Sequence, residues 1–553
     1  MGAILRTDEA AHADIVRRPQ HMTADWGPLD QLVARAEVLG GAWGTRARAS
    51  TTIGQERAIL RLFGVGGLDA AGKPLAWATI DRWLAAEPRG LRTGIALPFA
   101  MALLEYDLEP QQLAMDVASG AIDLVAEGEL LRESDRRAVA EVEAIRLAAT
   151  AIERIDAQRT VRGETIGMLG EAPRPWLGAT LHEPDIDAAL GEATSLISAG
   201  IDLIRIEIPI GRELADRMTD AGLEVPEWRP REGAGGAAVR DRLDPAPTGS
   251  QRALARLREV VDRAAARRRA YVRLATVAPA LGAPDGAVVA AFERIDLMGA
   301  DAMAEIVTDA VGPDRSLSDH AFAHRLSKRA GTAILIGPGP LVVAPDLSSG
   351  IPSDPATRAG RALALQLLGV TLAQGDGLPA GQVIIGALPS WLAEESVPGA
   401  RAIAEVAVRR ALFAGHPLGF VEPPAGTDRS VLWPYVQAAA AAYAGDIALV
   451  LRAAGLGPDD ATSAARAARA ASLVSADVAQ ATVLGPLRGV ALDHARGMIS
   501  AAIETLDRLG DQGWRTVSGD PSGSHVSQPS GRDAAIERTE TFDPFEPLLG
   551  PRG

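Results

Sequence analysis

The stretch from Ala270 to Asp346 restricts the fold more than any other part of the chain. Short β-branched runs at Tyr271–Thr276, Ala304–Thr308 and Ala333–Ile336 alternate there with longer segments of helical periodicity. Strands joined through helices lie parallel, because each crossover brings the chain back to the end it started from. The rhythm extends in both directions. WLGATL (176–181), IDLIRIEI (201–208), QVIIGALP (382–389) and PLGFVEPP (417–424) each predict a strand. That makes about seven or eight strands between 176 and 424, the count of a TIM (β/α)8-like barrel of the α/β class. An open doubly wound sheet is the alternative. No G-x-G-x-x-G follows the first strand, so a dinucleotide site is not supported.

The rest of the chain divides around this core. Residues 1–170 predict an N-terminal helical region. One helix carries Leu32, Val33, Ala36 and Leu39. A second, capped by Ser50 or Thr51, carries Ile59, Leu60, Leu62 and Phe63 and ends at Gly64. Residues 171–510 hold the barrel and, from Trp433 to about Leu509, C-terminal helices. Residues 511–553 form a polar linker and an arm, in which Phe542, Phe545 and Leu548 are expected to pack back on the body or on a partner. A Pro/Gly-rich segment from Pro226 to Gly249 exceeds an ordinary βα loop, which makes it a candidate lid or partner-docking surface.

Three compositional facts narrow the function. A formal charge of −15 opposes general binding to nucleic acid or to an anionic membrane. The absence of cysteine excludes disulfides, thiolate metal sites and thiol nucleophiles, and the reading assigns no metal ligand. Lysine occurs only at Lys73, in a Gly-Lys-Pro turn signal, and at Lys328, in a basic helical segment. Both read as solvated surface residues. The N-terminus lacks the apolar core of a signal peptide, and the alanine-rich run Val436–Ala444 is too short and polar to span a bilayer. The expectation is a cytoplasmic protein.

The active site of such a barrel lies at the C-terminal ends of its strands. The polar groups placed there are His182 and Glu183 after the first strand, Arg205 and Glu207 on one face of the second, Arg273 and Thr276 on the third, and Asp309 beyond Thr308. Arg205, Glu207 and Arg273 on neighbouring strands predict a charge-compensated cluster. It reads equally as an arginine clamp for a substrate carboxylate or as an interior ion network with no ligand. His182 reads as an acid–base group or as a loop cap.

Specific residues carry a resemblance. The run Thr51, Thr52, Ile53, Glu56, Arg57, Ala58, Arg61, Leu62 and Gly64, the glycine-rich element Glu232, Gly233, Gly235 and Gly236, and the ungapped stretch 270–346 resemble the large, α subunit of lysine 5,6-aminomutase. In the stretch the matches include Tyr271, Arg273, Asp296, Asp301, Arg315 and Asp319. The resemblance implies a TIM barrel and radical migration of an amino group on a small amino-acid-like substrate. It implies adenosylcobalamin and pyridoxal phosphate as cofactors, and a hetero-oligomer with a smaller cobalamin-binding subunit that carries the Schiff-base lysine. Within the family's first motif, Glu56 and Arg57 read as helix-surface or interdomain contacts. The family's polar anchors fall on changed residues. Its arginine after the second strand becomes Ile208, its Asn-Tyr pair Thr276 and Val277, and its Phe-Arg-Asp run Thr308, Asp309 and Ala310. An Asn-rich loop becomes Leu335 to Pro340. No D-x-H-x-x-G cobalamin motif occurs, because His494 follows an aspartate directly. The expectation is a kept fold with a changed pocket: an aminomutase-like barrel subunit with altered substrate or cofactor use, or a non-catalytic relative that partners a cobalamin-binding protein.

Overall fold

The computed structural model describes residues 27–70, 73–181, 186–206, 247–277, 281–308, 312–337, 354–387, 400–421, 447–452, 488–513, 535–539 and 542–549. The chain opens with helix α1 (Leu29–Ala49), a two-residue strand β1 (Ser50–Thr51) and helix α2 (Ile53–Leu62). Thr52, rather than Ser50 or Thr51, caps α2: its hydroxyl accepts from the Gln55 amide at 3.1 Å. Helices α3 (Leu75–Ala86), α4 (Ala96–Tyr106), α5 (Pro110–Ser119), α6 (Leu124–Leu130) and the 36-residue α7 (Ser134–Leu169) follow.

Every residue of α2 is buried, so Glu56 and Arg57 are not on a helix surface. Glu56 accepts from Thr51 Oγ1 (2.7 Å), the Ile95 amide (2.8 Å) and Arg538 Nη2 of the C-terminal arm (2.8 Å). A carboxylate with no solvent needs this many donors. Arg57 pairs with Asp81 at 3.0 Å and lies over the ring of Trp77. Contact between distant parts of the chain is what these two residues provide.

Eight parallel strands close into a barrel: β2 (Trp176–Thr180), β3 (Leu203–Ile206), β4 (Arg273–Val277), β5 (Leu297–Gly299), β6 (Ala333–Ile336), β7 (Val383–Ala387), β8 (Leu418–Val421) and β9 (Ile447–Arg452). Pairing of β2 with β9, Trp176 opposite Leu449 and Gly178 opposite Leu451, completes the ring. Helices α8 (Ile186–Ala199), α9 (Pro247–Arg268), α10 (Ala283–Phe292), α11 (Ala302–Thr308), α12 (Pro313–Ala330), α13 (Pro355–Gly375) and α14 (Ala400–Leu412) lie between the strands in sequence, and α15 (Arg488–Gln512) follows the last.

Two expectations are corrected. The fourth strand is Leu297–Gly299, and the run 304–308 belongs to helix α11. There Glu305 is buried, accepting from the hydroxyl of Ser316 and the amide of Leu281. The eighth strand is Ile447–Arg452, inside the stretch expected to be helical, so the ring ends at 452 rather than 424. A short, mostly apolar run such as IALVLR has no periodicity that separates strand from helix.

The residues just before the strands hold the lower end of the ring. Asp202, fully buried, accepts from the Leu177 amide (3.0 Å) on the preceding strand and pairs with Arg268. Asp296 does the same two strands later. It accepts from the Leu274 amide (2.9 Å) and the Tyr271 hydroxyl (2.8 Å), and it pairs with Arg162 (3.2 Å) and Arg258 (3.4 Å). Thr332 donates to the Ile295 carbonyl (2.8 Å) and His416 Nδ1 to that of Val383 (3.1 Å). Burial, then the Asp296 charge, push the Tyr271 phenol well above its usual range.

The C-terminal arm packs against the N-terminal helices. Strand β10 (Ile536–Glu537) pairs antiparallel with β1. Phe545 is 1% exposed and stacks on Phe63 with centroids 6.1 Å apart, and Phe542 is half-buried. Asp543 accepts from Arg325 at 3.1 Å. The Leu548 side chain lies outside the described part. Among the described residues, no helix is long and apolar enough to cross a membrane.

Candidate functional site

Successive strand residues point to opposite faces, and one small cluster identifies the inner one. Leu203, Ala275, Leu297 and Ile384 pack together with Trp176, Ala333 and Leu335 as a core separate from the barrel–helix layer. The same parity turns Gly178 and Thr180 of β2, Arg205 of β3, Arg273 and Val277 of β4, Gly299 of β5 and Gly386 of β7 toward the lumen. Gly419 joins them through its register with Gly386.

Register sets their height. Thr180, Arg205 and Ala275 lie side by side, and Val277, Gly299 and Leu335 form the next inward row toward the mouth. Arg205, half-buried, is the guanidinium carried toward the mouth among the described residues. Several inward positions are small: Gly299, Gly386 and Gly419 add no side chain to the lumen. An added Cβ at Gly299 would meet Val277 Cγ2 at 3.3 Å.

The sequence-predicted residues separate in the fold. Arg273 is the first residue of β4, opposite Leu203, two residues below the level of Arg205. It pairs with Glu171 and lies 3.5 Å over the centroid of Trp176, at the closed lower end rather than the mouth. Thr276 is buried but faces outward with Leu274, toward the helices, so Val277 is the member of that pair that faces the lumen. His182, Glu183, Glu207, Asp309 and the loop Glu232, Gly233, Gly235 and Gly236 lie outside the described residues; of the predicted Arg205–Glu207–Arg273 cluster, Arg205 lies near the mouth and Arg273 at the lower end.

One strand-end carboxylate was missed. Asp301, just past β5, is half-buried. It accepts from the amides of Met303 (3.0 Å) and Ala304 (3.3 Å) at the start of α11 and from Gly337 (3.1 Å) past β6. Burial raises its pKa. It fixes two strand ends to each other. Its signal in the sequence was an aspartate directly after a strand and two residues before a helix amide.

Neither lysine reaches the lumen. Lys73 pairs with Asp81 on the N-terminal helices, and Lys328 is exposed in the last turn of α12, on the lower side of the barrel. Of the described histidines, His494 Nε2 meets Glu405 at 3.1 Å and His324 Nδ1 meets Asp376 at 2.8 Å. Among the described residues no three carboxylates or imidazoles gather as a metal site would require.

Comparison with known proteins converges on this barrel. The family model for the D-lysine 5,6-aminomutase TIM-barrel domain of the alpha subunit matches residues 28–455. The chain belongs to the lysine 5,6-aminomutase alpha-subunit family. It is 25% identical over 402 residues to the lysine 5,6-aminomutase alpha subunit of Acetoanaerobium sticklandii, covering 73% of this chain and 71% of the relative. It is 24% identical over 405 residues to that of Fusobacterium nucleatum, covering 72% and 71%. The matched span ends three residues past β9, so membership in the family and ring closure describe the same part of the chain.

Proposed function

We propose that this chain is the barrel subunit of an adenosylcobalamin-dependent, aminomutase-like complex. The complex would move an amino group between adjacent carbons of a small amino-acid-like substrate. The observation that carries the proposal is a closed ring inside the family-matched span, with an inward arginine toward its mouth and glycines around it. Arg205 and Thr180 would bind and orient the substrate carboxylate through charge-assisted hydrogen bonds, while the closed wall excludes water from the reacting carbons.

Neither cofactor fits this chain alone. Pyridoxal phosphate needs an amine for its resting Schiff base, and both lysines stand away from the lumen. Cobalamin's lower ligand needs a suitably spaced histidine, and none of the eight stands in D-x-H-x-x-G. Any such group is therefore held by the smaller, cobalamin-binding partner, and substrate or cofactor use is altered relative to the family. The small and apolar character of Val277, Gly299 and Leu335 also favours a second reading, a non-catalytic partner of a cobalamin-binding protein.

Absorbance titration of the purified chain with adenosylcobalamin and with pyridoxal phosphate, each with and without the partner, tests this. A spectral change that needs both proteins supports the complex. No change with either cofactor in any mixture removes it. A complex that binds cobalamin yet turns over no amino acid leaves the second reading.

A further inference from the structure

The lower end of the barrel holds a charge arrangement that is not neutralised among the described residues. Residues 170–175 run from the start of β4, where the Gly170 carbonyl accepts from the Tyr271 amide (3.0 Å), to the start of β2, where Trp176 Nε1 donates to Ala172 (3.3 Å). Two guanidinium groups lie against the ring of Trp176: Arg273 at 3.5 Å from its centroid and Arg174 at 5.0 Å. One carboxylate serves both. Glu171, with its side chain 53% exposed, accepts from Nη2 of Arg273. Nη1 of Arg273 is buried and has no hydrogen-bond partner among the described residues.

An indole face stabilises a guanidinium but supplies no acceptor for its N–H groups. Among the described residues, two positive charges against one negative leave an excess of one. Partial burial and then the like charge of Arg273 lower the pKa of Arg174, with Glu171 alone opposing them. Leaving a donor of a buried cation unpaired costs more than leaving a neutral one so. We propose that this end of the barrel is an anion site, in which Arg174 and Arg273, held against Trp176, take a carboxylate or phosphate group of a small molecule. Glu171 is the internal carboxylate that this group displaces. Arg174 reaches solvent at the rim, whereas Arg273 is only 6% exposed, so the entering group must be about as small as the carboxylate it replaces. The site lies at the opposite end of the lumen from the mouth and does not depend on the function proposed there.

Thermal unfolding of the full chain in sodium phosphate, sodium acetate and sodium chloride at matched ionic strength tests the site. Phosphate or acetate is expected to raise the midpoint saturably above chloride, and the more effective of the two names the ligand group. Arg174→Gln is expected to weaken that anion roughly tenfold, the loss of one charge-assisted contact, with its midpoint in chloride unchanged. Glu171→Gln is expected to tighten it by roughly tenfold, since the competing carboxylate is gone, whatever its midpoint in chloride. Equal responses to all three salts, or a wild-type response in Arg174→Gln, overturn the site. An unchanged affinity in Glu171→Gln overturns the displacement.

Discussion

The two ends of the barrel lumen are built differently. At the lower end nearly every polar group is committed to another strand or helix: Asp202 to Leu177 and Arg268, Asp296 to four donors, His416 to Val383 and Gln374. Toward the mouth the inward positions among the described residues are Thr180, Arg205, Val277, Leu335 and glycines. The difference shows where the fold places its binding energy. Charge at the strand starts joins neighbouring strands, while the upper lumen keeps little that stabilises the ring and much that leaves room. This is the division of labour expected of such barrels, stability below and chemistry above.

Substitutions at the two ends should therefore cost very different amounts. The largest loss is expected at Asp296→Ala, which strands Arg162 and Arg258 without their shared carboxylate. Denaturant unfolding should show about 3–5 kcal/mol less stability; a loss below 1 kcal/mol would mean that the lower end is not the anchor. Asp202→Asn keeps an acceptor for the Leu177 amide but gives up the charge facing Arg268. About 1–2 kcal/mol should be lost by the same measurement.

A smaller, pH-dependent effect belongs to His416. Its Nδ1 donates to Val383 and its Nε2 accepts from Gln374 at 2.9 Å, so the folded protein holds the neutral ring, and burial lowers its pKa. The unfolded chain binds that proton at about pH 6.5, the folded one only further down. The contribution of the neutral ring is complete above the unfolded pKa and is lost as pH falls toward the folded value. Melting midpoints from pH 7.5 to 5.5 should fall more steeply in wild type than in His416→Phe, and parallel curves would refute the assignment. The smallest effect is expected near the mouth. Gly299→Ala brings a methyl to 3.3 Å from Val277 and should cost less than about 1 kcal/mol in the same unfolding assay. A larger cost would show the upper lumen to be packed as tightly as the lower.

Six of the eight strands were legible from their β-branched apolar runs, and the two failures are instructive. The run 304–308 looked more like a strand than Leu297–Gly299, which has three residues and ends in glycine. Yet Ile295-Asp296-Leu297 repeats Ile201-Asp202-Leu203, the opening of β3. In both copies the aspartate accepts the amide of the second residue of the preceding strand. That repeat, not propensity, was the available signal. Strand β9 carried none, because a short apolar run near alanine-rich segments reads as either structure.

The amino-acid sequence by itself determined the βα order, the inward parity of Arg205 and the lack of any cysteine. It also limited the chain to two lysines, both in settings that read as solvated surface. Only the tertiary structure decided that Arg273 sits low against Trp176 while Arg205 stands two residues higher, and that the ring closes through 447–452. Alternation along a strand is local and fixes the face a side chain points to. Height in the lumen comes from register between strands far apart in sequence, which no local pattern encodes.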